Sequence, residues 1–308
     1  MDFVKQKLLA VSCAITTALV WGLMWYPFRH LHGVGFTTAA TSLSVYIVAT
    51  VAGVIIYREV FRREARFEPI LLLLAFLYGW CNFAYTWAVA EGEVMRVLLL
   101  FYLSPLWSAL FSRLLLHERL SRIGWLVVAM SLLGLVVILY RPGLFNGQFF
   151  SSRADWLALS GGISFALGNV LSKRAHGLPV ALKSAMVWLG VAGCGLVSLL
   201  WRGQLWHEMS QLLQPDVLFI VLALGATLLA TSIISLHGLS ILPATQVMTL
   251  MLLELVFAAI SAYFLAGEAM KTQELIGGLL IASASLMSGR IVQKKPAAAA
   301  VMAAATDH

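Results

Sequence analysis

Residues 98–118 read LLLFYLSPLWSALFSRLLLHE, and 150 positions further on, residues 248–268 read MTLMLLELVFAAISAYFLAGE. Each stretch is about 20 residues of mostly apolar chain, the length that crosses a bilayer as a helix. Each closes on a glutamate, Glu118 and Glu268, and the runs that follow open on polar residues, Ser121 and Thr272. A second offset, of 144 positions, lays Arg29-His30-Leu31-His32-Gly33 on Lys173-Arg174-Ala175-His176-Gly177. Apolar helices resemble one another by chance, but two independent offsets that both carry polar landmarks point to an internal repeat. The chain therefore divides into residues 1–142 and 153–290, with residues 291–308 left as an alanine-rich tail expected to be disordered and cytoplasmic.

Outward from the repeat, the remaining apolar runs complete a set of ten: Leu8–Phe28, Thr37–Tyr57, Ile70–Ala90, Val97–Leu116, Ser121–Tyr140, Asp155–Ser172, Val180–Trp201, Val217–Leu236, Ala244–Leu265 and Thr272–Arg290. Composition agrees. Hydrophobic residues are 61%, charged residues 11%, and mean hydropathy is +0.90, whereas a soluble domain carries about a quarter charged residues. Too few charges remain to solvate a globule of 308 residues, so lipid is the expected solvent. The expected fold is an all-α membrane protein of ten transmembrane helices. Five helices per half is an odd number, which sets the second repeat upside down relative to the first.

Lysine and arginine set the orientation. With both termini cytoplasmic, that side holds Lys5, Lys7, Arg58, Arg62, Arg63, Arg66, Arg113, Arg119, Arg122, Lys173, Arg174, Lys183, Arg290, Lys294 and Lys295. The other side holds Arg29, Arg96, Arg141, Arg153, Arg202 and Lys271. The split is 15 to 6, and it accounts for all 21 basic residues. A missed or extra helix would scramble that alternation. The net charge of +7 invites a nucleic-acid reading, but the basic residues lie scattered in short loops and form no patch, so none is expected. The run after Lys7 extends to about Phe28 without a small-residue cleavage site, so it reads as a retained first helix. Cys13, Cys81 and Cys194 fall inside apolar runs without metal-ligand spacing and read as small core residues.

The stretch Leu100-Phe101-Tyr102-Leu103-Ser104-Pro105-Leu106 through His117-Glu118-Arg119-Leu120 resembles the helix 4 signature of EamA-type carriers of the drug/metabolite transporter superfamily. Its counterpart, Leu252 to Phe257 through Gly267-Glu268, resembles the same signature, and Trp21-Gly22 and Gly277-Gly278 match the usual pattern in the first and last helices. One position departs: Leu255 stands where the family commonly has proline. The resemblance implies a ten-helix carrier of small organic solutes, often moved outward, and leaves the solute open among amino acids, nucleotide derivatives, drugs and sugars.

Inverted repeats place a site near the midplane between the halves, and a few residues are candidates for it. Glu254 is the one acid deep in a span. Placing such a charge at the bilayer centre costs about 2.5–3.5 kcal/mol on insertion scales, so it must face a cavity or a partner or hold a proton. Reversible proton binding and a structural hydrogen bond between helices are both open to it. Pro105, mid-span, breaks the helical ladder and is the gating or kink candidate. Asn82 and Tyr85, three apart, share a helix face; Asn169 supplies a polar group from the other half. Trp21, Trp25, Tyr102 and Trp107 could form an aromatic cage for a flat or cationic solute, although interfacial anchoring is the commoner use of such residues. Glu118 and Glu268 are expected to cap or ion-pair the start of the next helix, with Arg29 and Lys173 as counter-charges or snorkelling residues, and His237 as a residue of the cytoplasmic interface.

His117-Glu118 lacks the second histidine of a zinc-protease helix, Gly33-Val34-Gly35 lacks the rest of a dinucleotide loop, and no P-loop occurs. No enzyme chemistry, cofactor or metal is expected. The leading reading is a secondary transporter in the inner membrane, an exporter of small organic metabolites (amino-acid-like or drug-like solutes) driven by proton exchange or by the solute's own gradient; the expected partners are a small-molecule solute, the lipid bilayer and protons, and the expected state is a monomer or weak homodimer. A membrane-embedded enzyme acting on a lipid-linked substrate, and a structural or sensory membrane protein without transport, are the rival classes.

Overall fold

The computed structural model describes residues 3–64, 68–115, 121–139, 152–172, 179–241, 250–251 and 253–287. Glu118, Lys173, the tail from residue 291 and the loop from Gly143 to Ser151 lie outside the described residues, as do the side chains of Pro105 and His237. The described chain is helical: α1 Phe3–Gly33, α2 Thr38–Ile56, α3 Arg58–Glu64, α4 Pro69–Glu91, α5 Val94–Phe101, α6 Ser104–Leu115, α7 Arg122–Leu139, α8 Arg153–Ser172, α9 Val180–Arg202, α10 Leu205–Leu212, α11 Pro215–Ile241, α12 Leu253–Ala266 and α13 Thr272–Met287.

Among the described residues, six segments are long and apolar enough to cross a membrane: Leu8–Gly33, Thr38–Ile56, Pro69–Glu91, Val94–Leu115, Ala181–Arg202 and Pro215–Ser235. Arg122–Val137 and Leu253–Ala266 are shorter apolar helices. Large apolar side chains cover the outside, among them Ile55, Phe76, Leu133, Val197, Phe219 and Phe264. Exposed on a soluble protein they would aggregate; against lipid tails they are in their own solvent. The chain is a multi-pass membrane protein.

The fourth apolar run differs from expectation. It is two helices, with the break at Tyr102 and Leu103, so Pro105 stands in the first turn of α6 and not in the middle of one helix. Proline is tolerated there because the first N–H groups of a helix have no intrahelical acceptor. The Tyr102 and Leu103 amides instead close short turns onto Leu98, at 2.8 Å, and Leu100, at 3.4 Å. Two short helices, α3 and α10, lie between the apolar runs and have no counterpart in the sequence reading.

Packing couples the two halves throughout. Helix α1 lies on α11 and α12, and α8 lies reciprocally on α4, α5 and α6. Helix α4 also packs on α9, while α11 packs on α2; α2 pairs with α9, and α7 with α13. Exchanging the halves maps each of these neighbours onto another, as an isologous two-fold arrangement requires. Helices α4 and α9 cross closely: a Cβ built on Gly79 would sit 2.5 Å from the carbonyl carbon of Gly190. In a membrane such close approach supplies the van der Waals contact that hydrophobicity cannot.

Candidate functional site

Tyr102 caps α5 at the break, and its hydroxyl donates to Glu254 Oε2 on α12 at 2.8 Å. The broken run of the first half thus reaches across to the acid of the second. Beside this pair is Tyr85 of α4, buried and packed in the same group of side chains as Tyr102. The Tyr85 ring lies 5.2 Å from Phe101, and Phe101 lies 5.7 Å from Phe165 of α8. Phe165 in turn meets Tyr78 at 6.3 Å, and the Tyr78 hydroxyl donates to Asn169 Oδ1 at 2.7 Å. A strip of rings thus runs from Glu254 to Asn169 across α12, α5, α4 and α8. Among the described residues Glu254 has no cationic partner, and it accepts the Tyr102 hydrogen bond.

Other sequence candidates take separate places. Asn82 turns toward α2, donating to the Tyr78 carbonyl at 2.9 Å and accepting from the Tyr46 hydroxyl at 3.3 Å; it and Tyr85 share no partner. Trp25 is fully buried in the joint between α1 and α12, where its indole N–H donates to Ser261 at 2.9 Å and Ser261 donates to the Gly22 carbonyl at 3.2 Å. A Cβ on Gly22 would meet Phe257 Cβ at 2.8 Å and the Glu254 carbonyl oxygen at 2.9 Å, so α1 seats directly on the turn that carries Glu254. Trp21 packs with a different group, around Phe28, Phe83 and Trp188. Trp107 packs with the group around Tyr85, Leu103 and Leu255, and its buried indole nitrogen has no acceptor among the described residues.

Toward the opposite ends of these helices is a cluster of ion pairs, of which the sequence suggests only the ion-pairing of Glu268 and the counter-charge of Arg29. Glu268 accepts from Arg29 Nη1 at 2.6 Å and from the Val94 amide at 2.8 Å. It therefore caps α5, not the helix that follows it. Arg29 also donates to the carbonyls of Val89, at 2.9 Å, and Gly92, satisfying the open carboxyl end of α4. Lys271 pairs with Glu93 at 2.8 Å. Arg96 grips buried Asp155 with two bonds, 2.7 and 3.0 Å. All three pairs join the first half to the second, and all converge on the corner between α4 and α5. In the sequence Asp155 reads only as the start of a helix, an acid at the edge of an apolar run.

The model of the EamA-like transporter family matches twice, over residues 8–140 and 152–290. The chain belongs to the EamA-like transporter family. Several of its relatives bear transporter names. An uncharacterised transporter of Pseudomonas aeruginosa is 26% identical over 57% of this chain and 58% of its own length, and the match thus spans little more than half of that relative. An S-adenosylmethionine uptake transporter of Rickettsia prowazekii is 26% identical over 71% of this chain and 70% of its own. A crystal structure at 17% identity superposes with a TM-score of 0.56, covering 91% of this chain and 96% of the other, a likeness of fold. For this EamA-like chain, the two matched segments correspond to the two halves whose helices pack reciprocally.

Proposed function

We propose that this EamA-like protein is a secondary carrier that moves small organic solutes across the cytoplasmic membrane by alternating access between two inverted halves, with both termini in the cytoplasm. The observation that carries the reading is the Tyr102–Glu254 bond at 2.8 Å, a carboxyl held at the junction of the halves, lined by rings and without a basic partner among the described residues. A carboxyl in that setting exchanges a proton readily for another cation, and this makes Glu254 the coupling residue. Support for the two-fold rocking comes from the reciprocal helix packing. The three inter-half ion pairs at the α4–α5 corner act as the closed gate on the non-cytoplasmic side, since Arg29, Arg96 and Lys271 belong to the side poor in basic residues.

Movement outward is the direction that the resemblance favours. The relatives named for S-adenosylmethionine uptake favour the reverse direction as a second reading, with S-adenosylmethionine as a solute to try. The test is the purified full chain in liposomes, assayed for counterflow of a panel of amino acids, S-adenosylmethionine and organic cations, with and without a pH gradient of either sign. Counterflow of at least one solute is expected, and the sign of the gradient that drives accumulation gives direction. No counterflow of any solute from protein shown to be folded would sink the reading.

A further inference from the structure

Trp87, near the end of α4, carries two guanidiniums on one ring. The Arg153 guanidinium carbon lies 4.3 Å from the ring centroid, and that of Arg202 lies 4.9 Å from it. Arg153 is the first residue of α8 and Arg202 the last of α9, so a side chain of the first half meets two charges of the second. A ring face attracts a cation, but two cations on one ring repel each other. Arg153 also stands at the positive end of the α8 dipole, the unfavourable end for its charge. The acids near this corner are committed elsewhere. Glu93 pairs with Lys271, Asp155 with Arg96 and Glu268 with Arg29. Glu91, beside the ring, accepts the Trp87 indole N–H at 2.6 Å and forms no ion pair with either arginine. Two cations against one acid leave the group net positive, with guanidinium donors that make no hydrogen bond among the described residues.

Exposed indoles flank both arginines. Trp156 follows Arg153 by one turn of α8, Trp201 precedes Arg202, and Trp206 follows on α10; they are 57%, 91% and 85% exposed. Amphipathic rings on the outer surface at helix ends mark the depth of the lipid headgroups. The anion that a guanidinium meets at that depth is a phosphate, which it binds with paired N–H bonds. We infer that Trp87, Arg153 and Arg202 form a site for the headgroup of an anionic phospholipid. A zwitterionic headgroup brings its own ammonium to a group that is already net positive, whereas a singly anionic one neutralises it. The bound lipid relieves the repulsion between the two arginines and ties α8 and α9 to α4 across the halves. This holds whether or not a solute is carried.

The test uses the purified full chain in detergent with three probes: dioleoylphosphatidylglycerol, dioleoylphosphatidylcholine and glycerol 3-phosphate. Native mass spectrometry reads the bound lipid, and thermal unfolding reads its effect. Phosphatidylglycerol should bind more tightly than phosphatidylcholine and raise the melting temperature further. Each guanidinium near the membrane surface contributes about fivefold, so Arg153→Gln or Arg202→Gln should cut the preference by about that factor. The double variant should abolish it. Arg58→Gln, an exposed arginine of α3, should leave it unchanged. Glycerol 3-phosphate offers the same phosphate without acyl chains, and should neither displace the lipid nor stabilise the protein. Equal binding of the two lipids, or a preference that survives the double variant, would overturn the inference. So would an equal loss in Arg58→Gln, which would mean surface charge alone, or full protection by glycerol 3-phosphate, which would mean a site for free anions. If the double variant does not fold, the two single variants decide.

Discussion

The Arg29 guanidinium and the Glu268 carboxylate, 239 positions apart in the chain, meet at 2.6 Å and between them satisfy the end of α4 and the start of α5. One ion pair thereby holds α1, α4, α5 and the end of α12 together. Both side chains are about a quarter exposed, so water reaches the pair and it can open without stranding charge in lipid. As part of a gate, it should be worth a few charge-assisted bonds, about 1.5–3 kcal/mol each. In a chain whose native cysteines are replaced by alanine, a cysteine introduced at Met95, which is buried next to the corner, should react slowly with an impermeant maleimide added outside. Glu268→Gln or Arg29→Gln should speed that reaction severalfold, and the swap Arg29→Glu with Glu268→Arg should restore protection in part. Unchanged labelling in both single variants would mean that the pair does not gate.

Glu254→Gln keeps the side chain's volume and its bond to Tyr102. The variant should fold, exchange solute for solute, and lose accumulation driven by a pH gradient. Tyr102→Phe removes the 2.8 Å bond and should weaken coupling without abolishing exchange. Accumulation at wild-type rates by Glu254→Gln in proteoliposomes would remove the proton role.

Arg96 and Asp155 are 8% and 1% exposed, so they should behave as a buried pair. Removing one partner strands the other, at a cost of about 3–5 kcal/mol. Asp155→Asn should therefore lower the melting temperature in detergent sharply, while Arg96→Met combined with Asp155→Leu should recover most of the loss. If the double replacement melts no higher than the single one, the pair is not simply an exchangeable tie.

Gly79 and Gly190 let α4 and α9 touch backbone to backbone. Gly79→Ala places a methyl against the α9 backbone, where overpacking typically costs about 1–3 kcal/mol. Thermal unfolding should show that loss. Gly193→Ala, on the same helix α9 but with nothing within 4 Å of its Cβ, should be neutral.

The 15-to-6 asymmetry of basic residues predicts that His308 lies in the cytoplasm. A phosphatase reporter fused there, active only outside the cytoplasm, should stay silent. Strong activity would reverse the orientation, and with it the side assigned to the Arg29–Glu268 gate.

The repeat and the apolar runs were legible because lipid imposes a long, simple pattern: about 20 apolar residues per crossing, punctuated by charge. Glu254 was legible for the same reason, as a lone violation of that pattern. What the sequence could not show was direction around each helix. In runs that are apolar on every side no periodicity tells inside from outside, so Asn82 and Tyr85 looked like partners although one serves α2 and the other packs with the group around Tyr102. Trp25 and Trp21 looked like a pair for the same reason. Pro105 announced a break, but whether it would kink one helix or begin another depends on the turns at Tyr102 and Leu103, which no residue type dictates. Arg96 and Asp155 were hidden by position: charges near helix ends pass for loop residues until the fold brings them together.

The reciprocal packing of the halves has a consequence for ancestry. Helix α1 finds its seats on α11 and α12, and α8 finds its own on α4, α5 and α6, so either half alone would leave the faces of its first and third membrane helices uncovered. A progenitor gene encoding a single half could have buried those faces only against a second copy lying upside down in the same bilayer. Fusion would then have turned a partnership dependent on concentration into a permanent one, and freed the two copies to diverge. Ser104 and Glu254 occupy matching positions at the 150-residue offset, so at that place one half carries an acid and the other a hydroxyl.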